Sequence, residues 1–286
     1  MFDEVIKYGN SKIQHGKHSD RVYLMKLNNV DVGSIINKLN KLAEEHKYGK
    51  IFTKIPQKHS EIFFNDEYKK EAEIPKFYNG KNDCVFMSKF PIEKRAIIGS
   101  NVKKRLNDVL AVCKEKEQLK NEPKISDEFN YKILKHENAK QLTELYKIVF
   151  ASYPFPIYDE KYIKKTMDDN IIYFGIFHEG KLVSASSAEM DFNGQNVEMT
   201  DFATLPDFRG NNFAQFLLYQ MENEVVKKGI KTFFTIARGI SFGMNITFAK
   251  LGYKFGGTLI NNTNISGNIE NMNIWYKSEN RKNYFT

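Results

Sequence analysis

A strand that continues into a helix through a short polar loop constrains this sequence more than any other feature. Residues 197–205 are expected to form the strand, and the loop Arg209-Gly-Asn-Asn212 leads into an amphipathic helix over residues 213–228. The first backbone N–H groups of a helix have no intrahelical acceptor, so together they can bind an anion. Gly210 lets the backbone approach a phosphate closely, and the two asparagines after it tolerate a positive φ.

Three runs of alternating or apolar residues lead up to this loop, over residues 171–178, 182–191 and 196–205. Glu179-Gly180 and Asn193-Gly194 separate the runs, and Asn-Gly is a strong hairpin signal. The runs therefore predict three antiparallel strands. A dinucleotide-binding fold or a P-loop fold would need a parallel strand-helix-strand unit with more glycines, so both are disfavoured.

The loop Arg209-Gly-Asn-Asn-Phe-Ala214, behind three antiparallel strands, resembles the acetyl-CoA pyrophosphate loop of the GNAT superfamily of N-acetyltransferases, which reads Arg/Gln-x-x-Gly-x-Gly/Ala. Asn212 stands where that pattern has a glycine. Three longer strings, at residues 235–253, 256–265 and 270–277, resemble the β-lysine N-acetyltransferases, and the similarity extends over nearly the whole chain. The resemblance implies an α/β (α+β) fold of the GNAT type, with a central, mostly antiparallel sheet.

The order of predicted elements in residues 50–90 repeats the order in residues 231–277. We interpret residues 1–120 as a degenerate GNAT-like domain, residues 121–130 as a linker and residues 131–286 as the catalytic GNAT domain. The first domain has no Arg-Gly-x-x-x-Ala loop, so we expect it to bind no coenzyme A. Chance similarity between two α/β halves is the alternative interpretation.

Residues 1–20 are polar and are expected to lie on the surface. His15 and His18 have no Cys or carboxylate cluster beside them, so no metal site is expected there. Cys84 and Cys113 are not in a CxxC spacing and are expected to be buried small hydrophobes. Helices are predicted over residues 32–46, 60–65, 101–120, 138–150, 159–168 and 241–251.

The chain of 286 residues carries a formal net charge of +8, from 43 Lys and Arg against 35 Asp and Glu. The excess lies in residues 1–120, with 24 basic against 16 acidic side chains, whereas residues 151–200 hold 4 basic and 8 acidic side chains. This local acidity suits a cationic substrate better than a nucleic acid. No apolar run approaches a membrane span of ~20 residues and no signal peptide is evident, so we expect a cytoplasmic protein without a membrane partner.

Acetyl transfer to an amine requires removal of a proton, because an ammonium with a reference pKa near ~10.4 is not nucleophilic. The resemblance implies a carboxylate base eleven residues before Arg209, which is Glu198. Alternatives are Asp201, which simple alternation puts on the opposite face, and Glu189 or Asp191 on the neighbouring strand. A strand bulge would change which face each carboxylate occupies.

The resemblance also implies a general acid and a cofactor, acetyl-CoA, with no metal. The tyrosine that often serves as the acid is replaced by Phe248, so Tyr253 or Tyr276 is the candidate, or the thiolate leaves unaided. The cofactor is expected to be held more by backbone than by side chains. The expected cofactor-binding residues are Ala203, Thr204, Leu205, Arg209, Gly210, Asn211, Asn212, Phe213, Ala214 and Ser241.

The implied substrate is β-lysine, acetylated on its side-chain amine to give Nε-acetyl-β-lysine, a compatible solute, with β-lysine supplied by a lysine aminomutase. Its recognition needs donors for the carboxylate and an acceptor for the second ammonium. Another small diamine, lysine or a protein lysine is the alternative acceptor, and a non-catalytic nucleic-acid-binding or regulatory module is the alternative class. Polar residues that are costly to bury unpaired are the candidate ligands: Glu189, Arg238, Asn245, Asn261, Asn262, Asn264, Glu270 and Asn273.

Overall fold

The first half of the chain contains six strands and three helices in the computed structural model, which describes residues 3–265 and 267–278. In the first helix, four apolar side chains on one face are buried, as their spacing predicts. The elements are β1 (Glu4–Tyr8), β2 (Ser11–Gly16), β3 (Arg21–Lys26), α1 (Val32–His46), β4 (Lys50–Pro56), α2 (Ser60–Phe64), β5 (Lys69–Tyr78), β6 (Asn82–Lys89) and α3 (Ser100–Lys114).

The second half adds seven strands and four helices within the described residues. None of the helices in residues 3–265 and 267–278 is long and apolar enough to cross a membrane. The elements are β7 (Phe129–Ile133), α4 (Ala139–Val149), α5 (Glu160–Asp169), β8 (Ile171–His178), β9 (Lys181–Asp191), β10 (Asn196–Thr204), α6 (Phe213–Val226), β11 (Thr232–Arg238), α7 (Phe242–Lys250), β12 (Lys254–Ile265) and β13 (Asn268–Ser278).

The strands form one mixed sheet in the order β1-β2-β3-β4-β6-β5-β12-β13-β11-β10-β9-β8-β7. Only β3–β4 and β10–β11 pair in parallel among the described strands, which confirms the predicted, mostly antiparallel sheet. The order β1-β2-β3-β4-β6-β5 of the first half recurs as β8-β9-β10-β11-β13-β12 in the second. This repetition is what the interpretation of a degenerate second copy predicts, although the domain boundaries themselves stay a prediction.

The two halves join where β5 meets β12, at the single pair Ala72 and Gly257. A Cβ on Gly257 would lie 2.3 Å from Glu71 O, and its φ of +142° is one that other residues rarely adopt, so glycine alone fits this approach. The sheet curls around this junction. The curl brings Lys26 of β3 close enough to Asp191 of β9 for an ion pair of 3.1 Å. As a result, β3 and β4 face β10 and β11 across the interior.

The strands β1 and β2 form an antiparallel hairpin within the polar segment at residues 1–20. Its turn lies at Gly9 and Asn10. The two strands are short and mixed in composition, so the sequence does not predict them. His15 is only 4% exposed, its Nδ1 lies 3.1 Å from Tyr48 Oη, and burial lowers the pKa of its imidazole. The prediction of a surface histidine is wrong at this position.

The helix α3 ends at Lys114 rather than at residue 120, and it packs on α7 of the second half. The guanidinium of Arg105 lies 4.2 Å from the Phe242 ring centroid. Val109 and Cys113 of α3 are buried in a core that the second half dominates. The last helix of the predicted first domain therefore packs against the second half of the chain. Both Cys84 and Cys113 are buried free thiols, as predicted.

Candidate active site

The strands β10 and β11 separate in the middle of the sheet. They pair only over their first three residues, from Asn196 with Thr232 to Glu198 with Phe234. Beyond Glu198, β10 stays paired with β9 and β11 with β13. The gap opens into a cleft of about 750 Å³, which we call the loop cleft because the loop at residues 209–214 lines it. Its volume is that of a small-molecule site.

One edge of β10 faces this cleft. The backbone N–H of Leu205 donates to Val183 O of the neighbouring strand at 2.9 Å. Backbone groups of an antiparallel strand alternate between its two edges, so those of Thr204 point toward the cleft instead. The carbonyl of Thr204 lies 3.4 Å from Arg209 Nε, which agrees with that orientation. Ala203, Thr204 and Leu205 are all predicted to bind the cofactor. Of the three, only Thr204 lines the loop cleft.

The loop before α6 keeps backbone N–H groups open. Asn212 precedes the helix with φ +58°, and Gly210 has φ +94° with open space where a Cβ would be. The first bonds of the helix run from the N–H groups of Gln215 and Phe216 to Asn212 O, at 3.0 and 3.2 Å. The backbone N–H groups of Phe213 and Ala214, the first two residues of α6, therefore have no preceding helical carbonyl to which they can donate. Asn212 adopts the positive φ for which the sequence suggested asparagine, whereas Asn211 does not.

The chemistry of the cleft wall fits a diphosphate. The open N–H groups lie at the positive end of the α6 dipole, where an anion is stabilised. Arg238, predicted as a substrate ligand, lies in this wall and is paired with Glu270, with 2.9 Å between Arg238 Nε and Glu270 Oε2. The wall contains all of residues 209–214, Thr204, Ser241 and four cations, namely Lys116, Arg209, Arg238 and Lys250.

A second space of about 120 Å³, which we call the inner cavity, lies between the two halves of the sheet. Tyr153, Thr200 and Asp201 line both this cavity and the loop cleft, so the two adjoin. On its other side the inner cavity adjoins an outer cleft of about 510 Å³, with Lys54 and Glu189 at the boundary. A ligand in the loop cleft and one in the outer cleft would therefore approach each other from opposite sides. The charged side chains of the inner cavity are Arg21, Lys54, Glu189, Glu198 and Asp201.

A bulge in β10 brings two carboxylates to the same cavity. The register with β9 shifts between Thr200 and Ala203, and Asp201 adopts φ +54°. Glu198 and Asp201 therefore both line the inner cavity, although simple alternation places them on opposite faces. The bulge considered from the sequence is present, and the opposite-face placement is wrong.

Glu198 has the properties of a proton acceptor. No residue in the described parts of the chain donates a hydrogen bond to its carboxylate, and Glu189 lies directly opposite it on β9. Burial, together with the carboxylates of Glu189 and Asp201, raises the pKa of Glu198 to about 8 against the lowering effect of Lys54. A base whose pKa is near neutral suits general base catalysis.

Asp201 is held by two hydroxyl groups. Tyr153 Oη donates to one carboxylate oxygen, and Ser187 Oγ donates to the other at 2.5 Å. Burial raises the pKa of Asp201, and these hydrogen bonds oppose the shift. Because its oxygens already accept hydrogen bonds, Asp201 is less available to a substrate proton than Glu198. Tyr153 was not found from the sequence, because only the fold brings the loop after α4 to this junction.

Tyr253, the predicted general acid, lies outside both spaces. Its side chain is 4% exposed and packs edge-on against Phe248, with 5.0 Å between ring centroids. It lines neither the loop cleft nor the inner cavity. The tyrosine hydroxyl at the junction of the two spaces belongs to Tyr153 instead.

Two of the predicted substrate asparagines belong to the scaffold. Asn245 Oδ1 accepts from Asn273 Nδ2 at 2.9 Å and from Trp275 Nε1 at 2.8 Å. Asn245 Nδ2 donates to Arg238 O at 2.9 Å. Asn245 and Asn273 are fully buried and line neither space, so the structure gives them a packing role and corrects the prediction.

The asparagines of β12 connect the two halves of the chain. Asn261 Nδ2 donates to Arg95 O at 2.8 Å, and Asn264 Nδ2 donates to His18 O at 3.0 Å. Neither Asn261 nor Asn264 lines the loop cleft or the inner cavity, and their binding of substrate stays a prediction. Asn262 is the asparagine of β12 that lines the inner cavity.

The fold and this paired arrangement of spaces define the class of protein. Residues 140–253 match the profile of the acetyltransferase (GNAT) family. Acetyl-CoA is the cofactor of that family, and the open loop with its cations fits such a ligand. The chain is accordingly an acyltransferase of the N-acetyltransferase type.

Comparison with known proteins narrows the family. The chain is 43% identical to the beta-lysine N(6)-acetyltransferase of Methanococcus maripaludis, over 96% of this chain and 98% of that protein. It is 31% identical to the enzyme of the same name from Methanosarcina mazei, over 84% of this chain and 95% of the other. N-acetyltransferase YodP of Bacillus subtilis is 34% identical, over 82% and 84%. The chain therefore belongs to the beta-lysine N(6)-acetyltransferase family.

Proposed function

We propose that this protein transfers the acetyl group of acetyl-CoA to the side-chain amine of β-lysine, giving Nε-acetyl-β-lysine. The observation that carries the proposal is the meeting of the loop cleft and the inner cavity beside Glu198 and Asp201. One space has donors for a diphosphate, and the other has carboxylates for an amine and cations for a carboxylate. The two named β-lysine acetyltransferases, which align over most of this chain, support the choice of substrate.

The loop cleft holds the cofactor in this proposal. The N–H groups at the start of α6 and the Arg209 guanidinium bind the diphosphate, and the Thr204 backbone binds the amide-bearing arm. Bound acetyl-CoA supplies the acetyl group as an activated thioester. No metal takes part in the proposed reaction.

The inner cavity holds and deprotonates the amine. Glu189 and Glu198 lie side by side and attract the ammonium. The Glu198 carboxylate takes one proton from the ammonium, which gives the nitrogen the free electron pair that attack on the thioester carbonyl requires. The new N–C bond replaces the C–S bond, and coenzyme A leaves as a thiolate that takes up the second proton lost by the nitrogen. Asp201, fixed by Tyr153 and Ser187, adds negative charge at the junction without itself moving.

The change in charge supports a role for the product as a compatible solute. β-Lysine carries one carboxylate and two ammonium groups, and acetylation removes one positive charge. The product is then neutral overall and can accumulate without a counter-ion. We place the reaction in the cytoplasm, with a lysine aminomutase as the source of β-lysine. Measurement of the product in cells grown at high and low salt, with and without the gene, tests this role.

A panel of amines tests the activity. Thiol release from acetyl-CoA is followed with β-lysine, lysine, a simple diamine and a lysine-containing peptide, and the acetylated nitrogen is located by NMR. We expect the highest kcat/KM with β-lysine and acetylation of its side-chain nitrogen. A higher value with another amine would reassign the acceptor. No acceleration by any amine, together with salt-sensitive binding of DNA or RNA in a gel shift, would contradict the catalytic proposal.

A further inference from the structure

Two buried cations lie side by side in the first half of the chain, and only one of them has a carboxylate partner. Arg21 of β3 pairs in register with Lys50 of β4. Lys50 Nζ lies 2.9 Å from Glu71 Oε2, which forms a buried ion pair. No carboxylate in the described residues forms an ion pair with Arg21, whose guanidinium donates only to Asn262 O at 2.8 Å and Gln14 Oε1 at 3.2 Å.

The surroundings of Arg21 make this lack of a counter-ion costly. The residue is 4% exposed, and its Nε has no hydrogen-bond acceptor among the described residues. Its guanidinium lies 5.1 Å from the Tyr23 ring centroid and 5.8 Å from that of Phe52. Burial lowers the pKa of Arg21 to about 10, which still leaves it charged near neutral pH. The carboxylates of Asp3 and Glu198 favour the charged guanidinium but form no ion pair with it. A buried charge without a directly paired opposite charge is unfavourable, so a ligand anion would be bound strongly here.

The position of Arg21 identifies the ligand. Its side chain lines the inner cavity, which also contains Glu198. We propose that Arg21 binds the carboxylate of the amino-acid substrate while its amine is held at Glu198, an inference that rests on the proposed function. The guanidinium presents paired N–H donors that match a carboxylate.

This assignment gives the first half of the chain a part in substrate recognition. The carboxylates of the inner cavity, Glu189, Glu198 and Asp201, come from β9 and β10 of the second half. Both cations, Arg21 and Lys54, come from β3 and β4 of the first half. The two halves therefore supply opposite charges to one cavity, which suits a substrate that carries both an ammonium and a carboxylate. A polyamine or an internal protein lysine offers no carboxylate at that place.

The test compares β-lysine with the matching diamine, which has the same carbon chain and both amines but lacks the carboxyl group. For the unaltered enzyme we expect kcat/KM to favour β-lysine by about 100-fold, the effect of a buried charge-assisted pair. Arg21→Gln should lower kcat/KM for β-lysine to within about 3-fold of the diamine and leave the diamine almost unchanged. Arg21→Lys, which keeps the charge but loses the paired donors, should retain about 10-fold preference.

Arg95→Gln is the matched control. Arg95 is a half-buried arginine between the halves, ion-paired with Asp20 at 2.8 Å, and it lines neither the loop cleft nor the inner cavity. Its loss should leave the preference for β-lysine intact, and thermal melting checks the folding of every variant. Equal slowing of both amines by Arg21→Gln would show a purely structural role and overturn the proposal.

The outcomes also separate this inference from the proposed function. If the unaltered enzyme acetylates both amines equally well, the Arg21 assignment is wrong while the acetyltransferase activity stands. If no amine is acetylated, the proposed function fails, and calorimetric titration of β-lysine into the unaltered protein and Arg21→Gln decides the assignment alone. Weaker binding to the variant by at least 10-fold would support it, and equal binding would overturn it.

Discussion

The helix that follows the third strand of each repeat begins differently in the two halves. In the second half, α6 begins after a loop with Gly210 and Asn212 in the left-handed region, and its first N–H groups are open. In the first half, α1 begins after Asp31, whose carboxylate accepts from Asn10 N at 2.9 Å and Ser11 Oγ at 2.7 Å. A fixed carboxylate beside a helix N-terminus repels phosphate. In our proposal, local loop chemistry rather than strand order decides which half binds the cofactor.

A second difference between the halves lies in the strand before this helix, at the position of Glu198. Glu198 of β10 pairs with Phe234 of β11, and in the parallel pair of the first half Tyr23 of β3 pairs with Phe52 of β4. Tyr23 lines the inner cavity from the first half as Glu198 does from the second, so a buried tyrosine stands where the second half has the proposed base. The first half instead directs Arg21 and Lys54 into the shared cavity. In our proposal, one repeat keeps the acetyl-transfer chemistry and the other contributes to substrate specificity.

Glu198→Gln should have the largest effect on this contrast, because it removes the base that only the second half has. We expect kcat to fall by roughly 100- to 1,000-fold, with little change in coenzyme A affinity. Because burial raises the pKa of Glu198 to about 8, its basic form increases as pH rises, so kcat/KM should increase up to about pH 8. The variant should lose this limb of the pH profile, measured by thiol release.

Glu224→Gln serves as the control for the loss of a carboxylate. Glu224 lies on α6, where it pairs with lysines one turn away, and it lines neither the loop cleft nor the inner cavity. Its substitution should leave the rate and the pH profile unchanged. If Glu198→Gln keeps full turnover and the same pH profile, Glu198 is not the base and Asp201 becomes the candidate.

Gly210→Ala should have an intermediate effect, because it alters the loop that distinguishes α6 from α1. A Cβ there meets nothing within 4 Å, so the cost comes from the φ of +94° rather than from a clash. We expect KM for acetyl-CoA to rise about 10-fold, in line with the penalty for a left-handed alanine. Gly33→Ala is the matched control, since Gly33 lies in the first turn of α1 with equally open space and ordinary helical φ. Equal KM values for the two variants would contradict the role of the loop.

Asp31→Ala should have the smallest effect on activity. The variant loses one buried and one partly buried hydrogen bond, so the free energy of unfolding should fall by about 1–3 kcal/mol in urea denaturation. Turnover and KM of the folded enzyme should not change. Titration with coenzyme A should still show a single site for each chain. A second site in the variant would mean that the Asp31 carboxylate alone keeps the cofactor out of the first half, and it would contradict the need for a left-handed loop like that at Gly210 and Asn212.

The parts of the fold that follow local rules could be predicted from the sequence. The Asn193-Gly194 turn predicts the hairpin that joins β9 and β10, and the apolar spacing of residues 32–46 predicts α1 with both of its ends. The loop before α6 was predicted because Gly210 and the asparagines after it have specific backbone preferences. These signals depend on neighbouring residues only.

The parts of the site that depend on tertiary placement could not be predicted in this way. The bulge at Asp201 is invisible to a simple period of two, so its face was predicted wrongly. The sequence suggests Asn261 and Asn264 as substrate ligands, yet their side-chain amides donate to backbone carbonyls of the first half and so connect β12 to it. No sequence signal points to Arg21, because its lack of an ion-pair partner becomes visible only when the two halves are brought together.

The most direct test of the central claim is a crystal structure with both coenzyme A and β-lysine bound. We predict the diphosphate at the N–H groups after Gly210, the side-chain amine of β-lysine beside Glu198, and its carboxylate on Arg21. The two ligands should approach from the loop cleft and the outer cleft and meet at Asp201. Coenzyme A bound away from the loop, or β-lysine bound outside the inner cavity, would contradict this account.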